Sequence, residues 1–419
     1  MTALRPALRS FAVPNYRRYF AGLLVSLSGT WMQVIAEMWL VLELTHSGAA
    51  VGIAAALQFA PMLLGGAWAG LIVDRLPKRG LLIATQAAMA LPALALLALT
   101  ATGAIELWML YGLIFARGAV NAVDNPARQA FLVELVGPER LVNAVSLGSA
   151  LVNGARTIGP ALAGVVIALV GVAPCFALNA LSFAAMIVAL RGMDAGALRS
   201  TPVAKREPGQ VRSGLRYVRG TPELWIPLAL MAIVGTFTFN FQVLLPLLAT
   251  FSLGGGAGAY AALTAAMGLG AIAGAIANGT RTRVRPAMLA AAAAAFGALT
   301  VLLAAAPGTA LATLALVPVG AASVVFAASV NSHLQLTVAP QMRGRVMALY
   351  SVVFLGSTPI GGPLMGWIAS AAGPRTALAL GGVMAIGAAL WARAAFTRSG
   401  VGVDADPPRV VVRHQPAAS

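Results

Sequence analysis

The chain has 419 residues, of which 59% are hydrophobic and 10% are charged, and its mean hydropathy is +0.86. This composition is typical of a protein dissolved in lipid and excludes an ordinary water-soluble domain. The net charge of +16 does not indicate a nucleic-acid partner, because the basic residues form short clusters between apolar stretches rather than a basic domain.

Apolar segments of about 20 residues recur along the chain without the strict alternation of a transmembrane barrel. Only helices and closed barrels satisfy every backbone group in a bilayer, so the sequence predicts an all-α polytopic membrane protein. A 20-residue window gives twelve spans, at about residues 19–43, 50–73, 81–102, 106–123, 142–169, 173–191, 224–249, 257–279, 286–305, 309–330, 345–370 and 375–396.

The spans divide into two six-helix halves, residues 1–191 and 224–396, with a tail at 397–419. The segment 192–223 between them is rich in Arg, Pro and Gly and is typical of a surface linker, with an amphipathic stretch near Leu215–Val218.

The basic residues also predict an orientation. All Lys and Arg except Arg117, Arg156 and Arg375 lie on the side of the predicted bundle that carries the N-terminus. The positive-inside rule therefore predicts a multi-pass protein of the cell inner (plasma) membrane, with both termini and the linker in the cytoplasm.

Spacings in the first half recur in the second. Three residues repeat at an offset of 204: Gly70 with Gly274, Asp74 with Asn278, and Arg79 with Arg283. Others repeat at 203: Gly159-Pro160 with Gly362-Pro363, and Glu37 with Asn240. Such a parallel repeat is typical of transporters that rock two halves around a central site.

The stretch "GLIVDRLPKR", beginning at Gly70, resembles the signature loop after helix 2 of the major facilitator superfamily. The stretch "ARTIGPALAG" resembles the Gly-Pro motif of that superfamily's drug antiporters, with Ala155 and Ala163 in place of two glycines. Residues 125–160 resemble the transmembrane secretion effector branch, which includes the enterobactin exporter and macrolide efflux proteins. The resemblance implies the twelve-helix major facilitator fold.

The resemblance also implies a gate at the cytoplasmic ends of helices 2 and 11. Gly70 would allow close packing, and Asp74 would lie against the positive end of helix 11, near Gly344. Arg75, Lys78 and Arg79 would hold Asp74 and the cytoplasmic surface in one state; alternatively, these basic residues only enforce topology. The pairs Gly159-Pro160 and Gly362-Pro363 would kink helices 5 and 11 or pack them across the halves, with ordinary helix packing as the alternative.

Polar residues within spans form three stripes, because steps of three and four place side chains on one helix face. The stripes are Ser26, Thr30, Gln33 and Glu37 in span 1; Arg117, Asn121 and Asp124 in span 4; and Ser146, Ser149, Asn153 and Arg156 in span 5. In the superfamily these helices line the central cavity. Ionisable groups are costly in lipid, so they indicate function or a buried pair.

Glu37 is the first candidate for proton coupling, since it could exchange a salt bridge with Arg117 or Arg156 for a proton; the alternative is a permanent structural ion pair. Asp124 is the second, with a cap or loop charge near the cytoplasmic end as its alternative. The residues expected to contact substrate are Gln33, Arg117, Asn121, Asn153, Arg156, Asn240 and Gln242. The lone His333 is expected at the surface.

These features predict a secondary active exporter of an amphipathic small molecule (a drug, siderophore or similar metabolite) that works by proton antiport and alternating access. Uptake by the same fold, or a non-transporting sensor or scaffold, stays open. The sequence contains no Walker A motif and no Cys-His or metal-ligand cluster in its spans, so we expect neither a primary pump, an enzyme nor a cofactor. Expected partners are the substrate, protons and the lipid bilayer, with a monomeric chain.

Overall fold

The computed structural model describes residues 9–199, 210–279, 285–339 and 342–400, and all regular structure within these ranges is helical. The membrane helices are α1 (Pro14–Thr45), α2 (Gly48–Arg75), α3 (Lys78–Ala101), α4 (Leu107–Val136), α5 (Pro138–Val170), α6 (Ala173–Arg191), α7a (Pro222–Phe237), α7b (Phe241–Leu247), α8 (Ala257–Gly279), α9 (Pro286–Ala304), α10 (Thr309–Thr337), α11 (Arg343–Ala372) and α12 (Pro374–Arg398). The predicted all-helical fold is confirmed.

Eleven segments of the described chain are long and apolar enough to cross a membrane, with α7a, α7b and the π-helical turn Leu248–Ser252 counted as one. Helix α4 is 30 residues long but carries Arg117, Asp124, Arg128 and Glu134. Helix α4 is therefore long enough to cross a membrane, but its charges lower its mean hydropathy and it is not among the eleven segments. With α4 included, the twelve predicted spans all correspond to helices.

Spans 4 and 7 differ from their predicted form. Span 4, expected to end at residue 123, continues as helix to Val136, so Asp124 lies inside α4. Span 7, expected to be continuous, breaks between α7a and α7b. At the break the Asn240 side chain donates to the Thr236 carbonyl at 2.7 Å, and Thr238 donates to the Gly381 carbonyl of α12 at 2.8 Å. Side chains that bond to nearby carbonyls compete with the helix, which accounts for the interruption.

In the first half α1 packs against α5 and α6, while α4 packs against α2 and α3. In the second half α8 packs on α10, α9 on α12, and α7a on α11 and α12. The most extensive contacts between the halves join α2 to α11 and α5 to α8. A short helix, Gln210–Arg219, precedes α7a and contacts α11; within the stretch Leu215–Val218, Val218 is buried and Leu215 is exposed.

Backbones of the two halves meet most closely at the ends of the helices remote from the N-terminus, here called the outer end. A Cβ atom on Gly48 would lie 2.7 Å from the Gly366 carbonyl oxygen, and one on Gly52 would collide with the Gly362 carbonyl. The Ala49 N–H donates to the Ser370 hydroxyl at 3.1 Å. Helices α2 and α11 therefore pack at the small-residue distance that GxxxG sequences permit.

Helix α5 shows a different environment nearer the N-terminal side. Its Gly159 packs on α1, and its Thr157 lies against Gly268 of α8. One face of α5 is therefore packed within the first half, and a second face is packed against the other half. Between these faces the side chains of Ser146, Ser149 and Arg156 are exposed. We infer that this stripe borders a cavity between the halves that is open toward the N-terminal side and closed at the outer end.

Candidate transport site

A buried ion pair joins α1 to α4 at the centre of the first half. Arg117 donates from Nε to Glu37 Oε1 at 3.1 Å and from Nη2 to Glu37 Oε2 at 2.7 Å. Glu37 is fully buried and Arg117 is 2% exposed. Both carboxylate oxygens accept a charged donor in a fork geometry, which is the arrangement that compensates best for the loss of water.

A chain of neutral side chains reaches the same carboxylate from α6. Gln33 Nε2 donates to Glu37 Oε1 at 2.7 Å, and Asn179 Nδ2 donates to Gln33 Oε1. Ser182 Oγ lies 2.9 Å from Asn179 Oδ1. Gly29 lets α1 approach, since a Cβ at that position would lie 2.6 Å from Asn179 Oδ1. Gln33, predicted to contact substrate, therefore lies inside the first half with its amide paired at both ends.

Asp124 forms a second buried ion pair. It accepts from Arg128 one turn later on α4, from Thr85 at 2.6 Å and from Gln86 at 3.0 Å, both on α3. Ser26 of α1 donates to Gln86 at 3.0 Å. The alternative of a cap or loop charge for Asp124 is wrong, because α4 continues past it and its side chain is fully buried.

Arg156 differs from the other two arginines in being exposed while lying deep in the bundle. Its guanidinium carbon lies 4.8 Å above the ring of Trp31 on α1, a cation–π contact. Trp31 is fixed by Gly159, whose missing side chain lets α5 approach the backbone of α1 at this level. Arg156 is therefore an exposed cation over an aromatic ring, with no carboxylate ligand among the described residues.

The remaining predicted contact residues occupy different environments. Asn121 on α4 and Gln242 on α7b are half-buried, and the side chain of Asn153 lies outside the described part of the structure. Asn240 is 1% exposed at the break of α7, and its Oδ1 is a buried acceptor with no partner among the described residues. Discontinuous helices in transporters place such groups beside the substrate.

The second half contributes aromatic rings at the same break. Phe239, half-buried between α7a and α7b, lies 5.0 Å from the Phe296 ring and 5.7 Å from the Phe354 ring. Phe354 in turn stacks on Tyr350 at 6.0 Å. The centre of the protein is therefore charged in the first half and aromatic in the second.

The expected gate residues divide into those that contact the other half and those that do not. Gly362 and Pro363 face Gly52 of α2, as the cross-half expectation requires. Gly159 instead packs on α1 within its own half, and Pro160 beside it is buried. That part of the expectation is wrong, since the α5–α8 approach uses Thr157 and Gly164.

The last turns of α2 lie on the side of the bundle that carries the N-terminus of the chain. There Gly70 is buried, Asp74 is half-buried and Arg75 is exposed. Arg79 does not hold Asp74. It donates from Nε to the Leu190 carbonyl and from Nη2 to the Arg191 carbonyl, both at 2.8 Å. The last carbonyls of α6 lack partners within their helix, so an arginine satisfies them.

We expect Asp74→Asn to slow transport at least about tenfold while the protein reaches the membrane in normal amounts. The substitution keeps the shape but removes the charge that favours the positive end of α11. Initial rates in vesicles, normalised to protein level, would measure this. Glu106→Gln, at an exposed site preceding α4 at the outer end, is the control. A wild-type rate for Asp74→Asn would contradict a gating role.

His333 does not lie at the surface as expected. It is 1% exposed, and its Nε2 lies 3.1 Å from the Glu223 carbonyl at the start of α7a. Helix α10 continues to Thr337, beyond the predicted end at residue 330, which places His333 within the packed bundle.

Sequence reasoning missed five polar partners in the first half, which lie on α3, α4 and α6: Thr85, Gln86, Arg128, Asn179 and Ser182. Gln86 and Asn179 carry a usable signal, because each is an amide within an otherwise apolar span. Their pairing with α1 and α4 depends on tertiary packing, which a helical stripe on one element does not give.

The fold, the parallel repeat and the central ionisable groups together define a membrane transporter. The sequence matches the transmembrane secretion effector family over residues 6–406, and the chain belongs to this family, a branch of the major facilitator superfamily.

Two curated relatives are transporters. The chain is 34% identical over 151 residues to the Staphyloferrin A transporter of Staphylococcus aureus (strain NCTC 8325 / PS 47), covering 36% of this chain and 38% of that protein. It is 27% identical over 205 residues to the uncharacterized MFS-type transporter YfiS of Bacillus subtilis (strain 168), covering 48% of each. The match spans less than half the length of either relative.

Solved structures share the fold at low identity. A POT family transporter in complex with a thioalcohol-conjugated peptide has a TM-score of 0.73 at 12% identity, covering 92% of this chain and 96% of that one. A bacterial homologue of the iron transporter ferroportin, solved in an inward-facing state, has a TM-score of 0.65 at 15% identity, with 92% and 98% covered.

Proposed function

We propose that this protein is a proton-coupled exporter of an amphipathic, anionic small molecule, with a siderophore as the first candidate. The observation that carries the proposal is the pair of charged sites on either side of α1. Glu37 and Arg117 form a buried ion pair, whereas Arg156 is exposed on the stripe that we infer to border the cavity. One site can exchange a proton and the other can bind an anion.

The proposed coupling cycle follows from competition between a proton and Arg117 for the Glu37 carboxylate. With the outer end closed, Glu37 is paired with Arg117, which corresponds to its deprotonated form. A proton that enters from outside would neutralise Glu37 and free Arg117; its release to the cytoplasm would restore the pair. Asp124, buried with Arg128, is the second candidate for a proton site. This cycle moves protons inward while substrate moves outward.

The substrate class follows from the lining. Arg156, lying over Trp31, would bind a carboxylate, since arginine forms charge-assisted bonds with planar anions. Asn121, Asn153, Asn240 and Gln242 would add neutral hydrogen bonds, and the rings around Phe239 would pack against apolar parts. The Staphyloferrin A transporter relative also supports a siderophore. We place the protein in the plasma membrane as a monomer, with both termini cytoplasmic.

The test uses everted membrane vesicles with an acidic interior. We expect labelled staphyloferrin A to accumulate inside, and Arg156→Gln to raise the half-saturating concentration about tenfold, as the loss of a charged hydrogen bond implies. Arg393→Gln, near the end of α12, is the control. Accumulation of a cation such as ethidium but not of the anion would contradict the substrate class. Accumulation of neither would contradict export.

A further inference from the structure

The chain of amide bonds behind Glu37 runs in one direction, from α6 toward the carboxylate. Ser182 Oγ lies 2.7 Å from the Asn179 backbone carbonyl oxygen and 2.9 Å from Asn179 Oδ1, and the amide nitrogen of Asn179 faces α1. Asn179 then donates to Gln33 Oε1, and Gln33 donates to Glu37 Oε1 at 2.7 Å. Asn179 and Gln33 are fully buried, so no bulk water replaces any of these partners.

An amide side chain can present either its oxygen or its nitrogen to a neighbour. The bond from Asn179 occupies the oxygen of Gln33 and so directs the nitrogen of Gln33 to Glu37. Glu37 Oε1 therefore accepts from both Gln33 and Arg117, and Oε2 accepts from Arg117. Donors therefore occupy three of the roughly four acceptor sites of the carboxylate.

The charged groups near Glu37 lie on other helices than the neutral hydrogen-bond chain from α6, so the two can influence Glu37 separately. Among the described residues of α4, Arg117 is the charged group that contacts Glu37. Asp124 lies two turns further along α4 with its own arginine, and on α5 Arg156 lies over Trp31. Helix α6 faces Glu37 through neutral groups only in the part of the chain that the structure describes.

We propose that Asn179 is a positioning residue that sets the pH at which Glu37 takes up a proton. It acts through Gln33, by holding that amide with its nitrogen toward the carboxylate. The inference rests on the proposed coupling role of Glu37 and adds a control element on α6. Without the bond from Asn179, Gln33 can turn its oxygen toward Glu37 and accept a hydrogen bond from the protonated acid.

The experiment follows protonation of Glu37 directly in the purified, full-length protein in nanodiscs. Infrared difference spectra recorded against pH give the carboxylic acid C=O band that Glu37→Gln removes. We expect Asn179→Leu, which keeps the branching of the side chain but removes its donor, to move the midpoint of this band upward by about one pH unit, because Gln33 is then no longer held as a donor to the charged carboxylate.

Gln33→Leu removes the donor itself, so it should shift the midpoint in the same direction. The double variant should shift it no further than Gln33→Leu alone, because both changes act through one bond. Thr300→Val removes a buried hydroxyl of α9 that bonds the Phe296 carbonyl and should leave the midpoint unchanged. Asn179→Ala, which also removes the donor to Gln33, provides the measurement if Asn179→Leu does not fold.

An unchanged or lowered midpoint in Asn179→Leu, or a shift only in Gln33→Leu, would overturn the proposal. Because the band reports Glu37 without any substrate, this result is independent of transport. Uphill export that persists in Glu37→Gln would instead contradict the coupling role and leave the effect of Asn179 on the carboxyl measurable.

Discussion

Glu37→Gln is expected to abolish export against a gradient while leaving downhill exchange of substrate. Gln keeps the size of Glu37 and an oxygen for Arg117, but it cannot bind and release a proton. The variant leaves the Arg117 charge buried without its counter-ion, and breaking such a pair costs about 3–5 kcal/mol when the partner is removed entirely. The retained oxygen reduces that cost, so we expect the variant to fold at reduced thermal stability.

The measurement is substrate accumulation in proteoliposomes with and without a pH gradient, together with exchange at equal pH. Glu43→Gln is a matched control, because Glu43 is an exposed residue of the same helix that bonds the Trp39 indole. Removing both charges, in Glu37→Gln/Arg117→Gln, should recover part of the lost stability without recovering coupling. Gradient-driven accumulation in Glu37→Gln would transfer the coupling role to Asp124.

Gly52→Ala is expected to reduce transport at least about tenfold by preventing closure of the outer end. The added Cβ would collide with the Gly362 carbonyl, and neither backbone can move without separating α2 from α11. The same substitution in an open helix position is favourable by about 1 kcal/mol, because Ala is a better helix former than Gly. A loss of activity would therefore come from the contact rather than from the helix.

Gly65→Ala provides the comparison, since Gly65 lies on the same helix with no atom within 4 Å of its Cβ position. Spin labels at Leu44 and Ala372, both exposed at the outer end, would report the separation. We expect a longer-distance population in Gly52→Ala and a wild-type distribution in Gly65→Ala. Equal activity and equal distances in the two variants would rule out an outer gate at Gly52.

The sequence predicts the helical fold well, because lipid permits few solutions and apolar length is easily counted. The match of span 8 with α8, both 257–279, is an example. Span 4 was cut short because its charges resemble a helix end, although Asp124 and Arg128 neutralise each other inside the bundle. The break of α7 depends on a bond from Thr238 to α12, which lies outside any local window.

The site is predicted less completely. The stripe rule correctly brings Glu37 and Arg117 to facing helices, since each charge in lipid needs a partner. It does not distinguish a side chain that faces the cavity, such as Arg156, from one that faces a neighbouring helix, such as Gln33. That distinction depends on how each helix is rotated within the bundle, which is decided by contacts such as Gly29 against α6.

The division of the interior into a charged half and an aromatic half separates two tasks that many binding sites combine. Within the described chain, the mid-membrane ion pairs belong to α1 and α4, whereas the rings around Phe239 belong to α7a, α9 and α11. Substitutions at Phe239 or Phe354 would therefore change the aromatic cluster without touching the ion pairs of the first half. Related transporters could change the residues of the second half while keeping the buried ion pairs of the first half unchanged.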